Sequence, residues 1–168
     1  MNIQDKYLKA AVLGASDGII TTFAVVAGVV GAKLATEIII VLGIANMVAD
    51  GISMALGDFL GERSIAQKND EKQTGVAKTS LVTFVAFIVA GSLPLLPYVA
   101  ILFGLSILAE HQFLMSVIAT LSAMFFVGSL RTIVTKGVWW INGFEMLAVG
   151  SVAALVAYFL GAFVESFI

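Results

Sequence analysis

Apolar residues run along this chain in long blocks with short polar interruptions. The first block covers about residues 8–32 and the second about residues 36–60. The polar segment GERSIAQKNDEKQTG comes next, then an apolar run over about residues 78–108 that contains Pro94 and Pro97. Two more blocks cover about residues 113–131 and 143–163. A helix rises 1.5 Å per residue, so about 20 apolar residues cross a hydrocarbon slab, and each block predicts one transmembrane helix. The third block is longer than one crossing needs, yet residues 98–108 are too few for another. It reads as one span bent at Pro94 and Pro97, because proline removes a backbone donor and kinks a helix. The expected fold is all-α, a single domain of five transmembrane helices with residues 61–77 as a short polar cytosolic connection.

The second block breaks its own pattern. Asn46, Asp50, Met54, Asp58 and Glu62 lie four residues apart, so one helical face carries all five. An aspartate near the centre of a span costs roughly 2.5–3.5 kcal/mol on insertion scales, an expense kept where the group meets a proton, an ion or a partner charge. Beside this row runs a strip of small residues, Ala45, Ala49, Ser53, Gly57 and Gly61. Gly14 with Gly18 and Gly150 with Ala154 repeat the spacing in the first and fifth spans. Small residues let helices approach closely in lipid, within a chain or between two chains.

Composition narrows the classes. The chain is 60% hydrophobic and 12% charged with a mean hydropathy of +1.06, against about 25% charged residues in a soluble domain. A water-soluble globule is excluded. No cysteine is present, which removes thiolate metal sites and disulfides, and a lone His111 excludes a histidine cage. No A-x-A-like cleavage site follows the N-terminal residues, so no removable signal peptide is expected. With five spans, Lys6, Lys9, Arg63, Lys68, Lys72, Lys78, Arg131 and Lys136 fall on one side and only Lys33 on the other. That asymmetry predicts a cytosolic N-terminus and an outside or lumenal C-terminus. No nucleophile–base pair, phosphate loop or cofactor motif is present, so neither an enzyme nor a nucleic-acid binder is expected.

Asp17 lies about nine residues into the first span and Asp50 about ten residues from the end of the second, roughly 13 and 15 Å deep. The short link at residues 33–36 predicts that these antiparallel helices are neighbours, which sets two carboxylates at one level. Such a pair can neutralise a divalent cation. Met54 adds a soft thioether that favours Fe²⁺ or Mn²⁺ over Mg²⁺ or Ca²⁺. Asp58 and Glu62 lie one and two turns further out, placed to recruit cations at the mouth. Simpler roles exist for each. Met54 can be packing, and Asp58 and Glu62 can be interfacial charges. Asp17 can bond locally to Ser16, Thr21 or Thr22, and Asp50 can pair with Lys33 or Arg131. Glu145 reads as a first-turn carboxylate facing its helix dipole, and His111, beside Glu110, as a solvated loop residue.

GASDGIITTFAVVAGVVGA, LGIANMVADGISMALGDFLGE, GSLPLLPY and GFEMLAVGSVAALVAYFLG succeed one another as in the vacuolar iron transporter family, which this chain resembles over nearly its whole length. The resemblance implies five spans, a homodimer, and export of Fe²⁺, often also Mn²⁺, from the cytosol in exchange for protons. It implies a path at the dimer interface lined by the residues corresponding to Asp17 and Met54, with Asp58 as the acid after S-M-A-x-G. Two departures stand out. The glutamate-rich insert of many members is replaced by about fifteen residues, with Asp70 and Glu71 as their acids after Glu62. Asp50 also stands where several members carry a small residue, an extra carboxylate in the path. The metal site is therefore expected at Asp17, Asp50, Met54, Asp58 and Glu62, with the ion as cargo and no resident cofactor. The expected membrane is a prokaryotic plasma membrane or, alternatively, a vacuolar-type one. The rivals are a pathway for another cation and a non-transporting metal-binding or scaffold protein.

Overall fold

The computed structural model describes residues 3–68, 75–104, 110–135 and 137–168. Asp70, Glu71, Lys72, Lys136 and the end of the third apolar block, residues 105–108, lie outside the described residues. The helices are α1 (Ile3–Gly31), α2 (Thr36–Lys68), α3 (Val76–Gly91), α4 (Leu96–Leu102), α5 (Gln112–Leu130), α6 (Thr132–Thr135) and α7 (Trp139–Glu165), with a 3-10 turn at Leu93–Leu95. No strand occurs among the described residues. Among the described residues, five stretches are long and apolar enough to cross a membrane: Gln4–Gly31, Thr36–Lys68, Val76–Leu102, Gln112–Leu130 and Trp139–Glu165.

The bundle is built around α1. It packs most extensively on α3 and α7, and more lightly on α2 and α5. The expectation that α1 and α2 are neighbours is met, but α2 leans mainly on α3. Glycine explains the closest seams. A Cβ on Gly14 would strike the Thr83 carbonyl, and one on Gly18 the Phe87 carbonyl. Gly31 and Gly161 meet the α7 and α1 backbones at Tyr158 and Gly28 in the same manner. Burying apolar surface gives no drive between helices in lipid, so such backbone proximity and the van der Waals contact it allows supply the attraction. Ile19, Val26, Phe87, Tyr98 and Met124 fill the centre. Val41, Phe126 and Phe159 point outward and are about two-thirds exposed, an apolar exterior suited to acyl chains.

The third span is interrupted at the prolines, as their positions predict. Helix α3 ends at Gly91, and α4 resumes after the 3-10 turn that contains Pro94. The carbonyl of Pro94 accepts a 2.6 Å hydrogen bond from Ser116 Oγ, so a neighbouring helix satisfies part of the interrupted ladder. Helix α2 continues through residues 61–68 because Glu62, Arg63, Ala66, Gln67 and Lys68 are good helix formers, and Lys68 suits the negative end of the dipole. Helix α7 starts at Trp139, four residues before the apolar block suggests. Glu145 therefore sits past the first turn, and it pairs with Arg131 at 3.2 Å rather than facing the helix terminus. His111 is the exposed residue that precedes α5.

Candidate cation site

Three parallel rows divide the surface of α2. Ile39, Gly43, Met47 and Gly51 are buried, the glycines against Leu95 of the 3-10 turn and Phe84 of α3. The next row, Asn46, Asp50, Met54, Asp58 and Glu62, is half-buried throughout. The third, Ala45, Ala49, Ser53, Gly57 and Gly61, is exposed, and a Cβ on Gly57 or Gly61 would meet nothing within 4 Å. The polar row thus lies on the border between the core and an exposed strip of small side chains.

Each polar residue has a distinct setting. Asn46 Nδ2 donates to Asp50 Oδ2 at 2.7 Å, which orients that carboxylate from one turn away. Asp17, half-buried on α1, lies within electrostatic reach of Asp50. The simpler partners are engaged elsewhere. Lys33 pairs with Glu165 at 3.2 Å and Arg131 with Glu145, so neither neutralises Asp50. Thr21 donates to the Asp17 main-chain oxygen at 2.8 Å, Ser16 to Met146 Sδ at 3.6 Å, and the Thr22 hydroxyl has no partner among the described residues. None of the three binds the Asp17 carboxylate.

Toward the end of the bundle that carries the α1 N-terminus, Asp58 Oδ2 accepts a 3.1 Å hydrogen bond from Thr83 of α3. Glu62 forms an ion pair with Lys6 of α1 at 3.5 Å. Asp58 and Glu62 share a cavity of about 50 Å³ with Lys6, Lys9 and Thr79. Met54 stands between the two acidic groups, one turn from each. Among the described residues, no three histidine or acidic side chains come close enough to hold one metal ion. The chain therefore offers two acidic pairs in sequence, Asp17 of α1 with Asp50 of α2, and Asp58 with Glu62 of α2. Neither is a closed cage.

Thr83 and Lys6 are the residues that pattern reading passed over. Thr79 and Thr83 form an i, i+4 hydroxyl pair in an apolar block, a signal that α3 has a polar face turned to a neighbour. Lys6 was legible only as one of the basic residues that orient the chain.

Apolar helices long enough to span a membrane, with an acidic row set at the edge of the packed core, define a multi-pass membrane protein. The description of the VIT family matches residues 8–75 and 65–162, and the chain belongs to that family. The two matched pieces overlap at residues 65–75. The chain is 46% identical over 59 residues to a vacuolar iron transporter of Toxoplasma gondii, covering 35% of this chain and 20% of that protein. It is 31% identical over 105 residues to vacuolar iron transporter homolog 2 of Arabidopsis thaliana, covering 55% and 54%. Vacuolar iron transporter 2 of Oryza sativa aligns over 217 residues at 23% identity, covering 92% and 86%. The matched segments thus span between a fifth and about half the length of the first two relatives.

Proposed function

We propose that this protein is a homodimeric carrier that exports Fe²⁺ or Mn²⁺ from the cytosol in exchange for protons. The observation that carries this reading is the acidic row of α2, half-covered by its own chain and bordered by an uncovered strip of small residues. A second copy seated on that strip would bring its own Asp17, Asp50, Met54 and Asp58 opposite the first set. Two incomplete acidic pairs would then become a site with enough oxygens to replace the water shell of a dication. Membership of the VIT family and the names of its relatives support iron as cargo.

The residues suggest an order of events. The ion arrives at Glu62 and Asp58 on the side that the basic residues assign to the cytosol, then passes Met54 to Asp50 and Asp17. A thioether along the path favours a first-row transition metal and releases it faster than a thiolate would. When the ion leaves outward, carboxylates of like charge remain close together, and protons neutralise them. Those protons come off as the next ion binds on the cytosolic side. Competition for one set of oxygens couples the two flows. The membrane of this protein is proposed as a prokaryotic plasma membrane, with a vacuolar-type membrane requiring the same orientation.

Uptake of ⁵⁵Fe²⁺ or Mn²⁺ into inside-out vesicles with an acidic interior tests the reading. Asp17→Asn, which keeps the shape but removes the charge, is expected to lower uptake about tenfold or more, since a dehydrated dication loses a charge-assisted ligand. Equal uptake by both proteins would remove Asp17 from the path. Tight Mn²⁺ binding without flux in the wild type would instead mark a non-transporting metal binder, and a panel of Fe²⁺, Mn²⁺, Co²⁺, Zn²⁺ and Ca²⁺ would reveal a pathway of different selectivity.

A further inference from the structure

We propose that Lys6 is a built-in competitor of the cargo, its ammonium group occupying the Asp58–Glu62 end of the acidic row until a dication displaces it. This rests on the reading of that row as a cation path. Lys6 Nζ stands 3.5 Å from Glu62 Oε2, and the two side chains are 38% and 28% exposed. Both side chains line the small cavity shared with Asp58, Lys9 and Thr79.

The two sides of that cavity differ in stiffness. Asp58 is held by Thr83, whose side chain is fully buried and also lies 3.3 Å from the Thr79 carbonyl. Lys6 reaches in on a flexible four-carbon stem from near the start of α1, and among the described residues its ammonium group meets Glu62. A site with one anchored carboxylate, Asp58, and a cation on a flexible stem is one in which the cation can be exchanged. The cavity measures about 50 Å³. A cavity needs about 10–15 Å³ of such space to hold one water, so there is room beside the ammonium group for a small hydrated ion to approach both carboxylates. A dication also attracts the two carboxylates about twice as strongly as a monovalent group at equal distance, which sets the direction of the exchange.

The ion pair bridges α1 and α2 at one end of the bundle, so displacement of Lys6 by metal would also remove that one link between them. A partly exposed ion pair is weak, and a competitor of that strength shifts metal affinity by about two- to fivefold. That is enough to tune a carrier without blocking it.

Mn²⁺ binding to the full chain in nanodiscs, read from loss of the six-line EPR signal of the free ion, tests the proposal without requiring transport. Lys6→Gln is expected to lower the Kd for Mn²⁺ two- to fivefold and, in liposomes, to lower KM by the same factor with an unchanged maximal rate. Lys6→Arg keeps the ion pair and should restore the wild-type Kd. In a Glu62→Gln background the effect of Lys6→Gln should vanish, and Lys9→Gln, which removes equal charge from the same cavity, should give a smaller shift. An unchanged Kd in Lys6→Gln, an equal shift in Lys9→Gln, or a shift that persists without Glu62 would overturn the competitor. Binding that follows the expected pattern in a protein that carries no ion would sink the transport reading and leave Lys6 in its role. Absence of Mn²⁺ binding in every variant would overturn both.

Discussion

The buried hydroxyl of Thr83 shows how one side chain can set the state of a carboxylate within the bundle. It lies 3.1 Å from Asp58 Oδ2 and 3.3 Å from the Thr79 carbonyl, and a hydroxyl has only one proton to donate. The bond to an ionised carboxylate is the stronger of the two, so the proton is expected on the Asp58 side. Thr83→Val keeps the shape and removes the donor. The variant should lose about 1.5–3 kcal/mol, the range for a hydrogen bond to a charged group, as read by thermal unfolding in detergent. Thr83→Ser should retain most of the stability. A valine variant as stable as the wild type would show that Asp58 draws nothing from this bond. Asp58 stood out in the sequence because an acid in an apolar block is conspicuous. Thr83 did not, because a threonine commonly returns its hydroxyl to its own helix, and only its placement opposite α2 reveals the second partner.

At the level of the helix, strips of small residues that look alike in sequence have opposite fates. Gly14 and Gly18 press α1 against the α3 backbone, whereas Gly57 and Gly61 face open space on α2. The spacing of four marks a flat helical face, but it does not say what lies against it, since that depends on the order of helices around α1. Gly14→Val should therefore push α1 off the Thr83 carbonyl and cost about 1–3 kcal/mol or more, visible as lower folded yield and a lower melting temperature. A variant that folds and melts as the wild type does would show that the α1–α3 seam tolerates separation. The spans themselves were legible because length and apolarity are local quantities, and the acidic row was legible because its period matches the helix. Helix ends were less so. The polar stretch after Leu60 reads as a connection, yet its helix-forming residues carry α2 to Lys68. Trp139 and Trp140 precede the last apolar block, yet they open α7, and that shift takes Glu145 away from the helix terminus and to Arg131.

For the molecule as a whole, the decisive question is what covers the third row of α2. Ala49, Ser53 and Gly57 are exposed beside Asp50, Met54 and Asp58, so any surface that seats on the strip also approaches the carboxylates. A copy of the same chain related by a two-fold axis would meet the strip with an identical strip, small residue against small residue, and place like acidic rows on either side of the axis. Repulsion between those rows would oppose the empty dimer, and a dication between them would relieve it. The absence of cysteine allows a direct test, because an introduced thiol has no other partner in the chain. A disulfide needs Cα atoms within about 4.4–6.8 Å, a separation that closely packed helices reach only where small residues face each other. Ser53→Cys and Gly57→Cys are therefore expected to give a covalent dimer on mild oxidation in membranes. Leu155→Cys, on the outward face of α7 and 56% exposed, should stay monomeric on a denaturing gel. Addition of Mn²⁺ before oxidation should raise the dimer yield at Gly57→Cys if the ion bridges the two rows. Cross-linking at Leu155→Cys with none at Ser53→Cys or Gly57→Cys would move the contact between copies to α7 and leave the acidic row of α2 without a second set of ligands.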